Sequence, residues 1–169
     1  MIKVLFETHH LYYLPNFLPI VDEFKNRGKY DIYFSMPQQI NQRERDLFCL
    51  ACKDLGLNTI DADDEELRIK KILNENFSII LVANVGQITK IASDNTLTVM
   101  VYHGIGLKQS YYNDIDDRID IRSVESESRY QKLLIQSNSA DLALTGFTKI
   151  DPIYTTNEKA NKRLKAVSY

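Results

Sequence analysis

A chain of 169 residues, 44% hydrophobic and 26% charged, is long enough for one domain with a substantial core. A net charge of −2 offers no basic face for nucleic acid. No apolar run approaches the ~20 residues of a membrane span, and Lys3 before a short strand-like run is not a signal peptide, so a cytoplasmic location is expected.

Taken in chain order, Ile2–Phe6 reads as a buried strand. Glu7–Asn16 reads as a loop rich in His and Tyr, closed by Pro15. Phe17, Leu18, Val21 and Phe24 recur at helical spacing over Phe17–Arg27, and Gly28 ends that helix. Tyr30–Phe34 alternates as a strand, and Asn41–Leu55 is a helix capped by Asn41 and stopped by Gly56. A short strand is expected at Leu57–Ile60, then an amphipathic helix at Asp63–Asn74. Ser78–Ala83 and Thr96–Tyr102 are strong strands, separated by a short helix at Val85–Ser93. Ile105–Asp117 reads as a Tyr-rich loop, and Arg118–Val124 takes no assignment. A helix at Ser126–Gln136 with Ser126 as cap, a strand at Asp141–Thr145 and a last helix at Asn157–Val167 complete the chain.

Alternating strands and helices predict an α/β fold, a Rossmann-like parallel sheet with helices on both faces. In a parallel sheet every strand-to-helix loop emerges on one edge, the edge where ligands bind. Glu7, His9 and His10 follow the first strand, Asn84 and Gly86 the central one, and His103, Gly104, Gly106 and Lys108 the next. Thr145, Gly146 and Lys149 follow the last.

His103 is the candidate catalytic residue, because an imidazole titrates near neutral pH and can take a proton from an attacking hydroxyl. Gly104 and Gly106 let backbone N–H groups approach an anion, and Lys108 adds a point charge for phosphate. His9 and His10 are candidate substrate-binding groups, one toward the crevice and one toward solvent, as are Thr145, Gly146 and Lys149. Tyr12, Tyr13, Tyr111 and Tyr112 either line a groove or pack over the sheet edge.

No metal site is expected. Cys49 and Cys52 stand mid-helix without a second pair, which suits reduced core cysteines. The acidic run Asp61–Glu66 suits a helix start at the positive end of the helix dipole. No G-x-G-x-x-G follows the first strand and no phosphate-binding P-loop is present, which counts against a dinucleotide enzyme. No cofactor is expected. Lys159, Lys162, Arg163 and Lys165 form a basic helix face, read as solvated or, alternatively, as a peripheral contact with an anionic membrane surface.

The run Val101-Tyr102-His103-Gly104-Ile105-Gly106-Leu107-Lys108, with Leu144-Thr145-Gly146-Phe147-Thr148-Lys149-Ile150-Asp151-Pro152 after it, resembles the CDP-glycerol glycerophosphotransferase family. Those enzymes build glycerol-phosphate polymers of the teichoic-acid and capsule type. The motifs span Leu97 to Tyr154. Gly106 stands where the family commonly has proline, and Thr148-Lys149 where it has proline and arginine.

The resemblance implies a GT-B fold, two Rossmann-like domains facing a cleft, with this chain the N-terminal, acceptor-side half. Residues 1–155 would form that domain, and 156–169 a helix leading to a C-terminal nucleotide-binding domain outside this chain. The donor, CDP-glycerol or another nucleotide-linked compound, would be held mainly by that second domain. The acceptor would be an anionic glycopolymer, with His103 as base on its hydroxyl, and this half alone would have little or no activity.

The Thr145-Gly146-x-Thr148-x-x-Asp151 spacing also resembles UDP-N-acetylglucosamine 2-epimerases, which share the architecture. A nucleotide-sugar glycosyltransferase or epimerase is therefore an alternative. So is a non-catalytic glycopolymer-binding module or a subunit of a split enzyme.

Overall fold

The computed structural model describes residues 1–104, 117–136 and 140–155. Its strands are β1 (Ile2–Glu7), β2 (Tyr30–Ser35), β3 (Asn58–Ile60), β4 (Ile79–Val82), β5 (Leu97–Met100), β6 (Ile121–Val124) and β7 (Asp141–Leu144). Its helices are α1 (Leu14–Arg27), α2 (Gln42–Asp54), α3 (Glu65–Glu75), α4 (Ile88–Ile91), α5 (Glu127–Ile135) and α6 (Asp151–Thr155). The strands form one sheet in the order β3-β2-β1-β4-β5-β6-β7, every pair parallel. The predicted fold class holds.

Period-two alternation sorts the core into two layers. Val4 and Phe6 of β1 join Phe17 and Val21 of α1, Phe48 and Cys52 of α2, Phe34 and Leu81 on one face. Leu5, between them, joins Ile72 of α3, Ile88 and Ile91 of α4, Ile80 and Val82 on the other. Phe6 is the hub of the first layer, stacked on Phe34 at 4.8 Å and edge-on to Phe17 at 5.1 Å. Cys52 is fully buried there, its thiol pushed up to about 12 by burial, and Cys49 packs against the same layer.

The caps predicted at Asn41 and Ser126 are present, and Asp64 of the acidic run is a third. Asn41 accepts from Glu44 N–H, Asp64 from Leu67 N–H and Ser126 from Arg129 N–H. The acidic run is thus a helix start, and among the described residues no three His, Cys, Asp or Glu side chains converge to hold a metal ion. No helix among them is long and apolar enough to cross a membrane.

Three readings are corrected. Pro15 opens α1 instead of closing a loop: a 3-10 turn at Leu11–Tyr13 runs into the helix at Leu14, and a proline in the first turn gives up only an N–H that has no helical partner. The helix expected at Val85–Ser93 is a single turn, Ile88–Ile91, because Gly86 takes a left-handed conformation (φ 51°) just before it. The unassigned stretch before Val124 holds β6, disguised because Arg122 and Ser123 are buried polar residues inside it. A 3-10 turn at Thr148–Ile150 and the short α6 follow β7, and the turn packs on α1. The last helix, at Asn157–Val167, lies outside the described residues.

Candidate functional site at the carboxyl edge of the sheet

The strand order reverses between β1 and β4, so the segments after these strands diverge to opposite sides and leave a crevice. Consecutive residues at the end of β1 serve its two sides. His10 and Tyr13 lie toward α2, whereas Glu7 and His9 lie toward α3 and α4.

On the α3 side, Glu7 is fully buried and pairs in register with Ser35 and Val82. Arg68, also fully buried, sits on the inward stripe of α3 one turn before Ile72. Its Nη1 donates to Glu7 Oε2 (2.9 Å) and Ser35 Oγ (2.7 Å). Its Nε and Nη2 grip the two oxygens of Glu65 at 2.9 and 2.6 Å. Glu65 also accepts from Gln38 N–H at 2.7 Å.

One guanidinium therefore faces two carboxylates. Burial opposes charge on both. On the half-buried Glu65, the Arg68 fork and the Gln38 N–H outweigh it and hold the carboxyl below its usual range. On Glu7 burial outweighs Arg68 and lifts the carboxyl to about 7.

His9 lies directly against Gly86. A Cβ built on that glycine would fall 1.8 Å from His9 Nε2, so only glycine admits the ring. Both ring nitrogens are buried and neither has a hydrogen-bond partner among the described residues. Burial, reinforced by Arg68 and His10, lowers the imidazole to about 4, so it is neutral at pH 7. Gly86→Ala is expected to cost about 1–3 kcal/mol, from overpacking and from its positive φ. The same variant should shift the His9 ring resonances; an unchanged denaturation midpoint and unchanged resonances would contradict the close approach.

On the other side, His103 Nδ1 lies 2.8 Å from the Ala83 carbonyl oxygen. A carbonyl only accepts, so Nδ1 carries the proton and the basic lone pair is on Nε2. The ring stacks on Tyr13 at 4.4 Å and 25°. Tyr13 is itself buried, its carbonyl held by Asn16 Nδ2 at 3.2 Å. His10 is half exposed, stacks on Tyr12 at 5.2 Å and places Nδ1 3.3 Å from Glu44 Oε1. Of the two readings of the tyrosines, Tyr13 packs over the edge and Tyr12 remains half exposed.

Beyond β5, Thr145 and Ser123 share a 2.5 Å hydroxyl contact at the ends of β7 and β6, and Gly146 turns the chain at φ 79°. Gly104 follows His103 at the edge. Lys149 stands elsewhere: it lines a cavity of about 480 Å³ with Pro15, Leu18, Asp22 and Asp151, over α1. Gly106, Lys108, Tyr111, Tyr112 and the basic face Lys159–Lys165 lie outside the described residues.

Sequence reading missed Arg68, which looks like the exposed half of an i,i+3 pair with Glu65. The available signal was its place on the same stripe as Ile72. It also missed Arg122 and Arg129, buried beside the Tyr102 ring at 5.3 and 3.8 Å from its centroid. Arg129 pairs with Glu125 at 2.9 Å.

The pH dependence of stability follows from Glu7 and His9. The raised Glu7 carboxyl stabilises the fold below its ordinary value of 4.5, and that contribution is lost as pH rises through about 7. The lowered His9 imidazole stabilises the fold above its ordinary 6.5, and that contribution is lost as pH falls through about 4. Between 4.5 and 6.5 the two slopes oppose. In that window His9→Phe should make stability fall with rising pH relative to the wild type, and Glu7→Gln should make it rise, each by up to about 1.4 kcal/mol per pH unit. Denaturant midpoints at pH 5 and 6 check the signs; parallel curves for all three proteins would contradict them.

Comparison with protein-family profiles and with curated protein sequences finds no match. Among solved structures, the chain is similar to a crystal structure from Listeria monocytogenes, assigned provisionally as a UDP-N-acetylglucosamine 2-epimerase. The TM-score is 0.62 at 15% identity, over 91% of this chain. The match spans 47% of that protein, about half its length. The chain has the fold of a GT-B half-domain. At this identity the likeness establishes fold and not chemistry, and the likeness to glycerophosphotransferases rests on the two motifs.

Proposed function

We infer that this chain is the acceptor-side half of a GT-B transferase acting on a nucleotide-linked donor, with CDP-glycerol the donor its motifs favour. The observation that carries this reading is the geometry of His103. Its Nδ1–H is tied to Ala83 O and its ring is stacked on Tyr13 at the edge where ligands bind, which is the tautomer a general base acting through Nε2 requires.

In the reaction, an acceptor hydroxyl oxygen attacks the β-phosphorus of CDP-glycerol. The proton passes to His103 Nε2, the bond from the bridging oxygen to that phosphorus breaks, and CMP leaves. The backbone at Gly104 favours the phosphate charge, as do Gly106 and Lys108 in the motif. Such transfers rest mainly on positioning and electrostatics. Thr145 and Gly146 border the acceptor path, His9 and His10 flank it, and Lys149 belongs to the surface facing α1. The anionic polymer acceptor, and a place at the cytoplasmic face of the membrane, are part of the same proposal.

A second reading, a nucleotide-sugar reaction on the same scaffold, is favoured by the likeness to the Listeria protein. The two separate by donor. The chain extended through any downstream domain is offered CDP-glycerol or UDP-N-acetylglucosamine, with a glycerol-phosphate primer. CMP release supports the first reading. Conversion of, or UDP release from, the sugar nucleotide without CMP release overturns it in favour of the second.

A further inference from the structure

The end of β1 and the turn after β4 hold buried polar atoms without hydrogen-bond partners among the described residues: Glu7 Oε1, Thr8 Oγ1, both nitrogens of His9, and Gln87 Oε1. Glu7 and Thr8 are completely buried. Buried polar groups are nearly always satisfied, so unpaired ones concentrated at a strand crossover point to a missing partner. Packing alone does not explain the arrangement. The His9 ring occupies its place only because residue 86 lacks a Cβ, and an apolar side chain would fill that space without stranding two nitrogens.

The chemistry of these atoms selects the partner. Neutral His9 offers one N–H donor and one lone pair, Thr8 a hydroxyl that does both, and Gln87 Oε1 only accepts. Glu7 Oε1 accepts when ionised and can donate when protonated. An alcohol group, both donor and acceptor, satisfies such a mixture. A phosphate or carboxylate brings negative charge against the oxygens of Glu7 and Gln87, with only the neutral His9 N–H and the Thr8 hydroxyl as donors.

Nor is the guanidinium among the described residues there available. Arg68, the guanidinium of this cluster, is engaged by Glu65, Glu7 and Ser35, and the field of Lys90 also acts on Glu65.

We propose that the β1–β4 crossover edge, centred on His9 against Gly86, is a subsite for an uncharged, hydroxyl-bearing part of a ligand, and that it discriminates against phosphate. This deepens the proposed function by naming the chemistry of one end of the substrate. It rests on that reading only for what the hydroxyl group is attached to.

The test is nuclear magnetic resonance of the whole, uniformly 15N-labelled chain, titrated separately with glycerol, N-acetylglucosamine and inorganic phosphate. A saturable change at the His9 ring nitrogens with at least one hydroxyl probe, and none with phosphate at equal concentration, is the expected result. His9→Phe keeps an aromatic ring against Gly86 and should weaken hydroxyl-probe binding about tenfold or more, read at the Gly86 amide. Should that variant fail to fold, Gln87→Leu, which removes one acceptor, is expected to weaken the same binding.

Phosphate saturating the His9 nitrogens would overturn the proposal. So would no response to either hydroxyl probe, which would mean that structural water alone fills the site, or full-strength binding by folded His9→Phe. No nucleotide donor is used, so failure here is distinguishable from failure of CMP release in the transferase assay.

Discussion

Replacing Arg68 by alanine is expected to lower the unfolding free energy by about 3 kcal/mol at pH 8, where removing one partner of a buried pair strands the other charge. Glu7 would be that stranded charge, fully buried and deprived of the Arg68 Nη1 donor at 2.9 Å. Ser35 would lose its 2.7 Å partner as well, though its hydroxyl still donates to Ile60 O at 2.9 Å. The loss should shrink toward pH 5. Without Arg68 the Glu7 carboxyl rises above its present value of about 7, so the folded state takes up its proton over a wider range and stability falls more steeply as pH rises.

Adding Glu7→Gln to Arg68→Met should recover much of the loss, since a buried ion pair replaced as a pair is often nearly neutral. Urea midpoints at pH 5 and pH 8 for the single and double variants decide it. An equal loss at both pH values, with no recovery in the double variant, would contradict the buried pair as described.

Replacing His103 by alanine in the chain extended through any downstream domain is expected to lower kcat by about 10²–10⁴-fold, the range for a positioned general base. KM for the donor should change little, because the donor is assigned mainly to the other half. Stability should fall only modestly, since His103 is part-exposed and its replacement leaves Tyr13 in the core. Tyr13→Leu is the informative companion. It removes the stacked ring that restrains the imidazole while sparing the Ala83 hydrogen bond, and should give a smaller loss in kcat. A His103→Ala protein with undiminished nucleotide release would remove the base from the mechanism.

The parts of this molecule legible in the sequence are those set by local rules. Apolar runs marked β1, β4 and β5, side-chain oxygens at Asn41, Asp64 and Ser126 marked helix starts, and Gly28 and Gly56 marked ends. The same logic placed His103 at the carboxyl edge. What it could not reach depended on distant partners. Arg122 hid β6, because a buried arginine is tolerated only beside groups that sequence spacing does not reveal, such as the Tyr102 ring. Arg68 looked like a surface charge until Glu7, 61 residues away, supplied the reason for its burial. His9 and Gly86 belong to different loops, and only the β1–β4 pairing brings the ring onto the glycine. Pro15 was misread because a proline that ends one element and one that opens the next look alike without the turn at Leu11–Tyr13 before it.

The most direct test of His103 as the base is the protonation pattern of its ring in this chain, read from 15N–1H correlations of the labelled imidazole near neutral pH. A proton on Nδ1 and a lone pair on Nε2, with the pattern kept in Tyr13→Leu, is the result the Ala83 hydrogen bond predicts. A proton fixed on Nε2 with Nδ1 bare would mean that the ring does not donate to Ala83. It would leave no basic nitrogen presented at the edge, and the general-base assignment would fall with it.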